Sequence, residues 1–457
     1  MIEKLKELAE KFGERTAYIC EDESRTFAEL FAGAQKIAKE ISGADKSPVA
    51  VFGGKSCAVM ETILACILEK RAYVPISPSI PEGRRREIIK SSGAGVLINC
   101  TEGEPKTEII KNSAQTIEDN ETAYIIFTSG STGKPKGVPI SYENLDNFIS
   151  WITAQKSLSE YEHAKVLNHA EFNFDLSTAA VFYALFMGSA LVQLPKTDDF
   201  VSIFETIKKN RPEIFVATPS FMRLCMLEKD FCENSYPYIK YIYFCGETLQ
   251  KSLVKAIFER FPHIRIINAY GPTEATSAVC AAEITKEMLK HEDNLPVGII
   301  ENAAAEIEIE KGEIVLKGKS VFDGYLGGSE GGFYRIGEKR CYRTGDLGFI
   351  ENGKLYFSGR KDGQIKYKGY RIELSEIEAV ISSVEGVESC AVIAKRNTEG
   401  EVRLIKAFAA GTASEMSIRK ELAEKLPEYM IPKTIKIMDS LPLNQNGKID
   451  RKELEHR

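Results

Sequence analysis

The densest run of chemistry-bearing residues in this 457-residue chain is Ile125 to Val138, IIFTSGSTGKPKGV. An apolar, strand-like segment leads into the hydroxyls of Thr128, Ser129, Ser131 and Thr132, the glycines Gly130 and Gly133, and the lysines Lys134 and Lys136. Hydroxyl donors, backbone N–H groups that glycine leaves accessible and cationic side chains in one turn are what a polyphosphate cradle needs. Pro135 follows Lys134 where a Walker loop requires Ser or Thr, which excludes the P-loop NTPase arrangement. On composition alone the run is equally a solvated turn, so the rest of the chain has to decide.

Other stretches carry side chains of the same kind. NAYGPTE, Asn268 to Glu274, follows a strand pattern, which is where ligand sites of α/β sheets lie. YRTGDLG, Tyr342 to Gly348, offers Asp346, and an aspartate can accept from two vicinal hydroxyls at once. LPLNQNGKIDRKEL, Leu441 to Leu454, offers Lys448, and FNFDLS, Phe172 to Ser177, offers Asp175 immediately before a helical run. Taken singly, each has a plainer reading: a Gly-Pro turn, a Gly-Asp turn, a solvated lysine and a helix N-cap.

The elements that must position these residues follow from hydrophobic spacing. From Val49 onward, apolar strands alternate with helical stretches, among them a buried helix over Cys57 to Leu68, which argues for α/β units with parallel sheets. Arg84, Arg85 and Arg86 read as a solvated helix face. A second α/β unit runs from the helix at Leu176 to the strand ending at Asn268. After Leu295 the texture changes to short strands and glycine turns, with a hairpin across Glu351-Asn352-Gly353 and a flexible connection over Gly327 to Gly332. Beyond Gly359 strand and helix spacing restarts as a compact α+β domain. The expected architecture is therefore α/β and α+β: a large N-terminal domain, 1–360, of two α/β subdomains plus a small β-rich unit, and a smaller C-terminal domain, 361–457, with the boundary at Lys361 or Asp362.

Composition narrows the class further. The net charge of -6 gives no electrostatic reason to expect nucleic acid, and no basic block suggests an anionic membrane. Ten cysteines stand without a CxxC pair or ligand-like spacing to histidine, so they read as reduced thiols and not as a disulfide frame or zinc site. The amphipathic N-terminal helix is not a signal peptide, and the most apolar run falls short of the roughly 20 residues a spanning helix needs. A cytoplasmic protein with no membrane insertion is expected.

The ordered set TSGSTGKPKG, NAYGPTE, YRTGDLG with SGRKDGQIKYKGYRIELSEIE, and NGKIDRKEL resembles the adenylate-forming superfamily, which groups acyl-CoA ligases, luciferases and nonribosomal adenylation domains. The resemblance spans Tyr124 to Leu454, most of the chain. It implies ATP binding by Thr128, Ser129, Gly130, Ser131, Thr132, Gly133, Lys136, Asn268, Ala269, Tyr270, Gly271, Pro272, Thr273, Asp346, Arg360 and Lys448. In detail, Tyr270 would pack on adenine, Thr273 contact phosphate, Glu274 help hold Mg2+, and Asp346 anchor the ribose with help from Arg360. Lys448 would be the catalytic lysine, delivered by the smaller domain through a hinge at Asp362.

In the amino-acid-activating members the aspartate of the FNFDLS motif binds the substrate ammonium, a role that falls here on Asp175. LNHAEFNFDLS, ATPSFMRLC, YFCGETL, ERFPHIRIINAYGPTEAT and NLPVG are most similar to the D-alanine:D-alanyl carrier protein ligases of lipoteichoic acid modification. Cys245 of YFCGETL stands where general adenylation domains carry glycine, and with Ser277 it would line the substrate pocket. The region Gly324 to Arg343 looks trimmed relative to that family. The resemblance implies activation of a small amino acid, D-alanine above others, and its transfer to phosphopantetheine. No carrier-domain serine motif follows Arg457, so the carrier is expected to be a separate protein. Two alternatives stay open: a free-standing adenylation enzyme for another small amino acid, and a non-catalytic nucleotide-binding protein.

Overall fold

The computed structural model describes residues 1–43, 46–110, 121–130, 135–155, 161, 163–195, 199–290, 294–328, 331–442 and 449–456. They form two compact units. The first comprises Met1–Pro78, Ile89–Ile126 and Gly137–Lys361; the second comprises Ser79–Ile88, Phe127–Lys136 and Asp362–Arg457.

The first unit is built on three sheets. An eight-stranded sheet runs in the order Cys280–Ile284, Arg265–Tyr270, Tyr241–Phe244, Ile214–Ala217, Lys165–Asn168, Ala190–Gln193, Thr16–Cys20, Glu23–Thr26. Its inner pairs are parallel and its two edge pairs antiparallel. The parallel strands read as unbroken apolar runs, YIYF and IFVA, because helices cover both faces. A six-stranded sheet has Val49–Phe52 at its centre, paired in parallel with Tyr73–Ile76 and Val96–Asn99. The β-rich part is a third sheet, in which Lys339–Glu351 and Lys354–Arg360 pair through the expected turn; Asn352 and Gly353 both take positive φ, as a two-residue hairpin loop requires.

Helix Leu176–Phe186, LSTAAVFYALF, carries no charge and every residue of it is buried, so it is a core helix without a solvent face. Its N-terminal end is where Asp175 stands. Helix Cys57–Leu68 is buried along most of its length, as its sequence indicates. The apolar core joins Phe27, Phe148, Phe182 and Tyr342 in one cluster, and an aromatic group of Phe204, Phe231, Tyr236 and Phe261 forms another.

Gly331 and Gly332 are not part of a loose connection: a Cβ on Gly331 would come 2.2 Å from the Tyr325 ring, and one on Gly332 would come 2.5 Å from the Arg343 carbonyl oxygen. These glycines are required by close approach of chain and ring. Arg84 is not solvated, since its guanidinium is buried and paired with Glu376 at 2.6 Å within the second unit.

The long C-terminal segment of the second unit is α+β. The hairpin Gln364–Tyr367/Tyr370–Glu373 precedes helix Leu374–Ser382, and Val387–Arg396, Val402–Gly411 and Thr434–Met438 form a three-stranded sheet. Its core centres on Ile377, Ile381, Ile405, Ile418 and Leu422. All ten cysteines are free thiols, nine of them buried. No helix among the described residues is long and apolar enough to cross a membrane.

Candidate active site

Most of the side chains singled out in the first unit gather at the carboxyl ends of the parallel strands, where ligand sites of open α/β sheets lie. Cys245 follows strand Tyr241–Phe244 directly, and Asn268, Ala269 and Tyr270 end the neighbouring strand. Asn268 is buried and donates to the Pro296 carbonyl oxygen at 2.9 Å, so its amide braces the next loop.

The chain then turns tightly. A Cβ on Gly271 would come 2.5 Å from the Ala278 Cα, so only glycine fits, and Val279 N–H donates back to the Tyr270 carbonyl oxygen at 2.8 Å. Between them Thr273–Ala275 makes a single 3-10 turn, and Thr276 and Ser277 both take left-handed φ, 64° and 69°. Consecutive non-glycine residues in that region store strain, which the surrounding contacts must hold. The Cys245 thiol meets the Ser277 carbonyl oxygen at 3.8 Å. The Ser277 hydroxyl is buried and finds no hydrogen-bond partner among the described residues.

Around this turn stand three polar groups. The first is Tyr270, Asp346 and Arg360. Asp346 and Arg360 are register partners on adjacent antiparallel strands, their side chains form an ion pair, and the Tyr270 hydroxyl donates to Asp346 Oδ2 at 2.7 Å. Burial, reinforced by the Asp346 charge, raises the Tyr270 phenol far above its ordinary range, so it stays a donor. The second is Glu274, fully buried, whose Oε1 accepts from the Tyr325 hydroxyl at 2.6 Å; that hydroxyl lies 3.2 Å from Tyr342's. The third is Asp175 with Thr273, whose hydroxyl donates to Asp175 Oδ2 at 2.5 Å. Asp175 occupies the N-cap position of the buried helix in helical φ/ψ, and its side chain makes no cap hydrogen bond. The plain capping reading thus fails, since a capping side chain accepts from the first turn.

Residues that spacing did not single out join the same neighbourhood. His169 stacks on Phe221 at 4.5 Å between centroids, its Nε2 accepts from Thr218 N–H at 3.1 Å, and Lys55 Nζ donates to its carbonyl oxygen at 2.5 Å. Burial, with the Lys55 charge adding to it, pushes the imidazole down to about 3, so it is neutral near pH 7. Tyr325 was likewise unmarked. No signal in the sequence marks it, because the space that Gly331 leaves for the Tyr325 ring exists only once the turn is folded.

In the second unit, Ser129 and Gly130 have partners from the GYRIELSEIE segment. Ser129 Oγ donates to the Arg371 carbonyl oxygen at 2.8 Å and accepts from Glu373 N–H at 3.2 Å; Gly130 N–H donates to Glu376 Oε2 at 3.2 Å. Thr128 ends strand Thr122–Thr128 and Lys136 begins Lys136–Ser141. Asp362 opens the C-terminal segment and accepts from Gln364 N–H at 3.2 Å. Ser131, Thr132, Gly133 and Lys448 lie outside the described residues.

Parallel sheets with a turn of buried hydroxyl and carboxylate groups at their strand ends, followed by a hairpin-braced Asp–Arg pair, define a nucleotide-type α/β enzyme with an appended α+β unit. The chain belongs to the AMP-binding enzyme family: that family matches residues 5–326, and the AMP-binding enzyme C-terminal domain matches residues 376–448. It is 36% identical to a D-alanine--D-alanyl carrier protein ligase of Bacillus licheniformis over 100% of this chain and 99% of that one. It is 35% identical to the ligase of the same name from Bacillus cytotoxicus over 99% and 98%. Among solved structures, the Vibrio cholerae adenylation domain AlmE in complex with glycyl-adenosine-5'-phosphate superposes with a TM-score of 0.86 at 22% identity, covering 99% of this chain and 96% of that one. A nonribosomal peptide synthetase protein containing adenylation and PCP domains superposes at 0.84 with 24% identity, covering 99% and 83%; both likenesses speak for the fold.

Proposed function

We propose that this chain activates D-alanine with ATP as the aminoacyl-adenylate and then transfers it to the phosphopantetheine thiol of a separate carrier protein. The observation that carries the amino-acid half is Asp175: a carboxylate at the mouth of an uncharged, wholly buried helix, which accepts from the Thr273 hydroxyl and makes no side-chain cap hydrogen bond. Such a group calls for a cation, and the α-ammonium of an amino acid supplies one. The full-length likeness to ligases named for D-alanine supports that choice of substrate and of a carrier protein as acceptor.

In the first half-reaction a carboxylate oxygen of the amino acid bonds to the α-phosphorus of ATP as the bond to the pyrophosphate oxygen breaks. In the second, the carrier thiolate bonds to the acyl carbon and AMP departs. Two anions meet in the first step, so positioning and charge neutralisation are the main demands on the protein. Asp346, held by Tyr270 and Arg360, would take the ribose hydroxyls, and Tyr270 would face the adenine. Thr128, Ser129, Gly130, Ser131, Thr132, Gly133 and Lys136 would line the phosphates, and Lys448 would neutralise charge at the reacting phosphate. Asp362 would be the hinge that brings Lys448 up and withdraws it.

Glu274 is a fully buried carboxylate, and no group of three or more metal-ligating side chains exists among the described residues. That donor set fits Mg2+, which takes one or two carboxylates together with substrate phosphates in place of an all-protein cage. Bound there, Mg2+ would neutralise phosphate charge. Tyr325 holds the Glu274 carboxylate in place for it.

The test is ATP–pyrophosphate exchange across D-alanine, L-alanine, glycine, D-serine and L-serine, with Asp175→Asn beside the wild type. Exchange driven by D-alanine and lost in the variant supports the reading. Exchange driven by another small amino acid replaces the substrate, and normal exchange in Asp175→Asn removes the ammonium site.

A further inference from the structure

Thr273 has one hydroxyl proton, and it points at Asp175, with Oγ1 2.5 Å from Oδ2. An ionised carboxylate has no proton to give, so the donor is Thr273. While that bond stands, the hydroxyl can accept from other groups but has nothing to donate to a phosphate oxygen. The proposed function assigns the α-ammonium to Asp175, the resemblance to the adenylate-forming superfamily implies a phosphate contact for Thr273, and the inference rests on both.

The backbone around Thr273 leaves little room for a larger movement. The residue is 8% exposed, begins the single 3-10 turn, and is followed within five residues by two left-handed positions and the close packing of Ala278 on Gly271. What remains free is rotation about the Cβ–Oγ1 bond, which swings the proton without shifting a heavy atom. Its direction is decided by which acceptor carries the stronger local charge. With the amino-acid site empty, Asp175 is an anion with an adjacent hydroxyl, and it holds the proton. An ammonium on Asp175 brings charge-assisted donors and leaves the pair close to neutral, so a phosphate oxygen of ATP becomes the better acceptor.

We propose that the Thr273 hydroxyl is a proton switch between the two substrates: the amino acid's ammonium, by taking over Asp175, turns the hydroxyl toward the ATP phosphate. Each substrate therefore tightens the binding of the other, and linkage requires the two effects to be equal. One hydrogen bond redirected to an anion corresponds to a coupling of about tenfold. Thr273 acts here as a positioning residue between the subsites, in addition to its phosphate contact.

The experiment uses the full chain and ligands that cannot react together. Binding of α,β-methylene-ATP with Mg2+ is measured by calorimetry without and with saturating D-alaninol, which keeps the ammonium and lacks the carboxylate. The wild type should bind the nucleotide about tenfold more tightly when D-alaninol is present. Thr273→Val should bind both ligands with coupling reduced to less than twofold, and Thr273→Ser, which restores a hydroxyl, should restore the coupling. A general packing defect in Thr273→Val would weaken both affinities without erasing their ratio, and the serine variant separates the two cases. Independent binding of both ligands to the wild type, or equal coupling in wild type and Thr273→Val, overturns the switch and leaves the ammonium assignment standing. Absence of D-alaninol binding to the wild type overturns both.

Discussion

Arg84 and Glu376 are 292 positions apart in the sequence, yet their side chains form an ion pair at 2.6 Å in which the arginine is 8% and the glutamate 0% exposed. The other Glu376 oxygen accepts from Gly130 N–H, so the carboxylate joins three segments of the second unit. Removing one partner of such a pair leaves a buried charge uncompensated, at a cost of about 3–5 kcal/mol. Arg84→Ala should lower the unfolding free energy of the second unit, obtained from urea denaturation of the full chain followed by circular dichroism, by that amount. Arg84→Met with Glu376→Leu should recover most of it, because the desolvation penalty disappears with both charges. A single variant as stable as wild type would mean that water already reaches the pair.

The Tyr270–Asp346–Arg360 group makes a different kind of demand. Asp346 is 2% exposed and both of its oxygens have partners, so it is fixed before any ligand arrives. Asp346→Asn keeps an acceptor for the Tyr270 hydroxyl but puts an amide against the Arg360 guanidinium. The expected result is a 10–100-fold rise in KM for ATP in pyrophosphate exchange, with the KM for the amino acid changed less than threefold, on the scale of losing a charge-assisted pair of hydrogen bonds. Equal rises in both constants would indicate a general collapse of the turn.

Much of this fold is legible in the sequence because its elements are specified locally. Ile214–Ala217 and Thr434–Met438 have the bounds that the apolar pattern alone gives them, and the Asn352-Gly353 turn announces its hairpin. What could not be read depends on partners far away in the chain. Thr16–Cys20 pairs antiparallel with its sequence neighbour Glu23–Thr26, but nothing local says that its other edge pairs in parallel with the distant Ala190–Gln193 of the eight-stranded sheet. A run of three arginines looks solvated until Glu376 is folded against the first of them. The polar side chains of the turn were named by motif, whereas the hydrogen bond from Thr273 to Asp175 spans 98 positions and has no signature in either stretch.

His169 makes stability depend on pH. Its imidazole ordinarily takes a proton near 6.5 and in the fold is pushed down to about 3 by burial. Between those values the unfolded chain binds the proton and the folded chain does not, so this contribution is intact above about pH 6.5 and is lost as the pH falls. By pH 5 the loss from this one group is about 2 kcal/mol. His169→Gln, which keeps an acceptor for Thr218 N–H, should flatten the fall in denaturation free energy between pH 6.5 and 5, whatever its stability at pH 7.5. Parallel pH profiles for variant and wild type would show that the ring is protonated in the folded protein.

With the ammonium on Asp175 and the carboxylate facing the α-phosphate, the enantiomers of alanine differ in which side of Cα carries the methyl. Cys245 is 4% exposed, and its thiol is set against the Ser277 carbonyl oxygen at 3.8 Å, on a backbone that the left-handed Thr276 and Ser277 hold rigid. A thiol fixed in this way cannot step aside for a methyl, and a methyl forced against it is worth about 1–3 kcal/mol, so the expected D over L preference is tens to a few hundred fold. Cys245→Gly and Cys245→Ala remove the obstacle and should raise kcat/KM for L-alanine more than they lower it for D-alanine. Gly246, at φ 92° directly after the cysteine, makes the alanine variant the safer of the two, because a second adjacent glycine would loosen the strand end. If the wild type already favours an L-amino acid, or if neither variant moves the D/L ratio, Cys245 is not the wall and the assignment of D-alanine falls to another small amino acid.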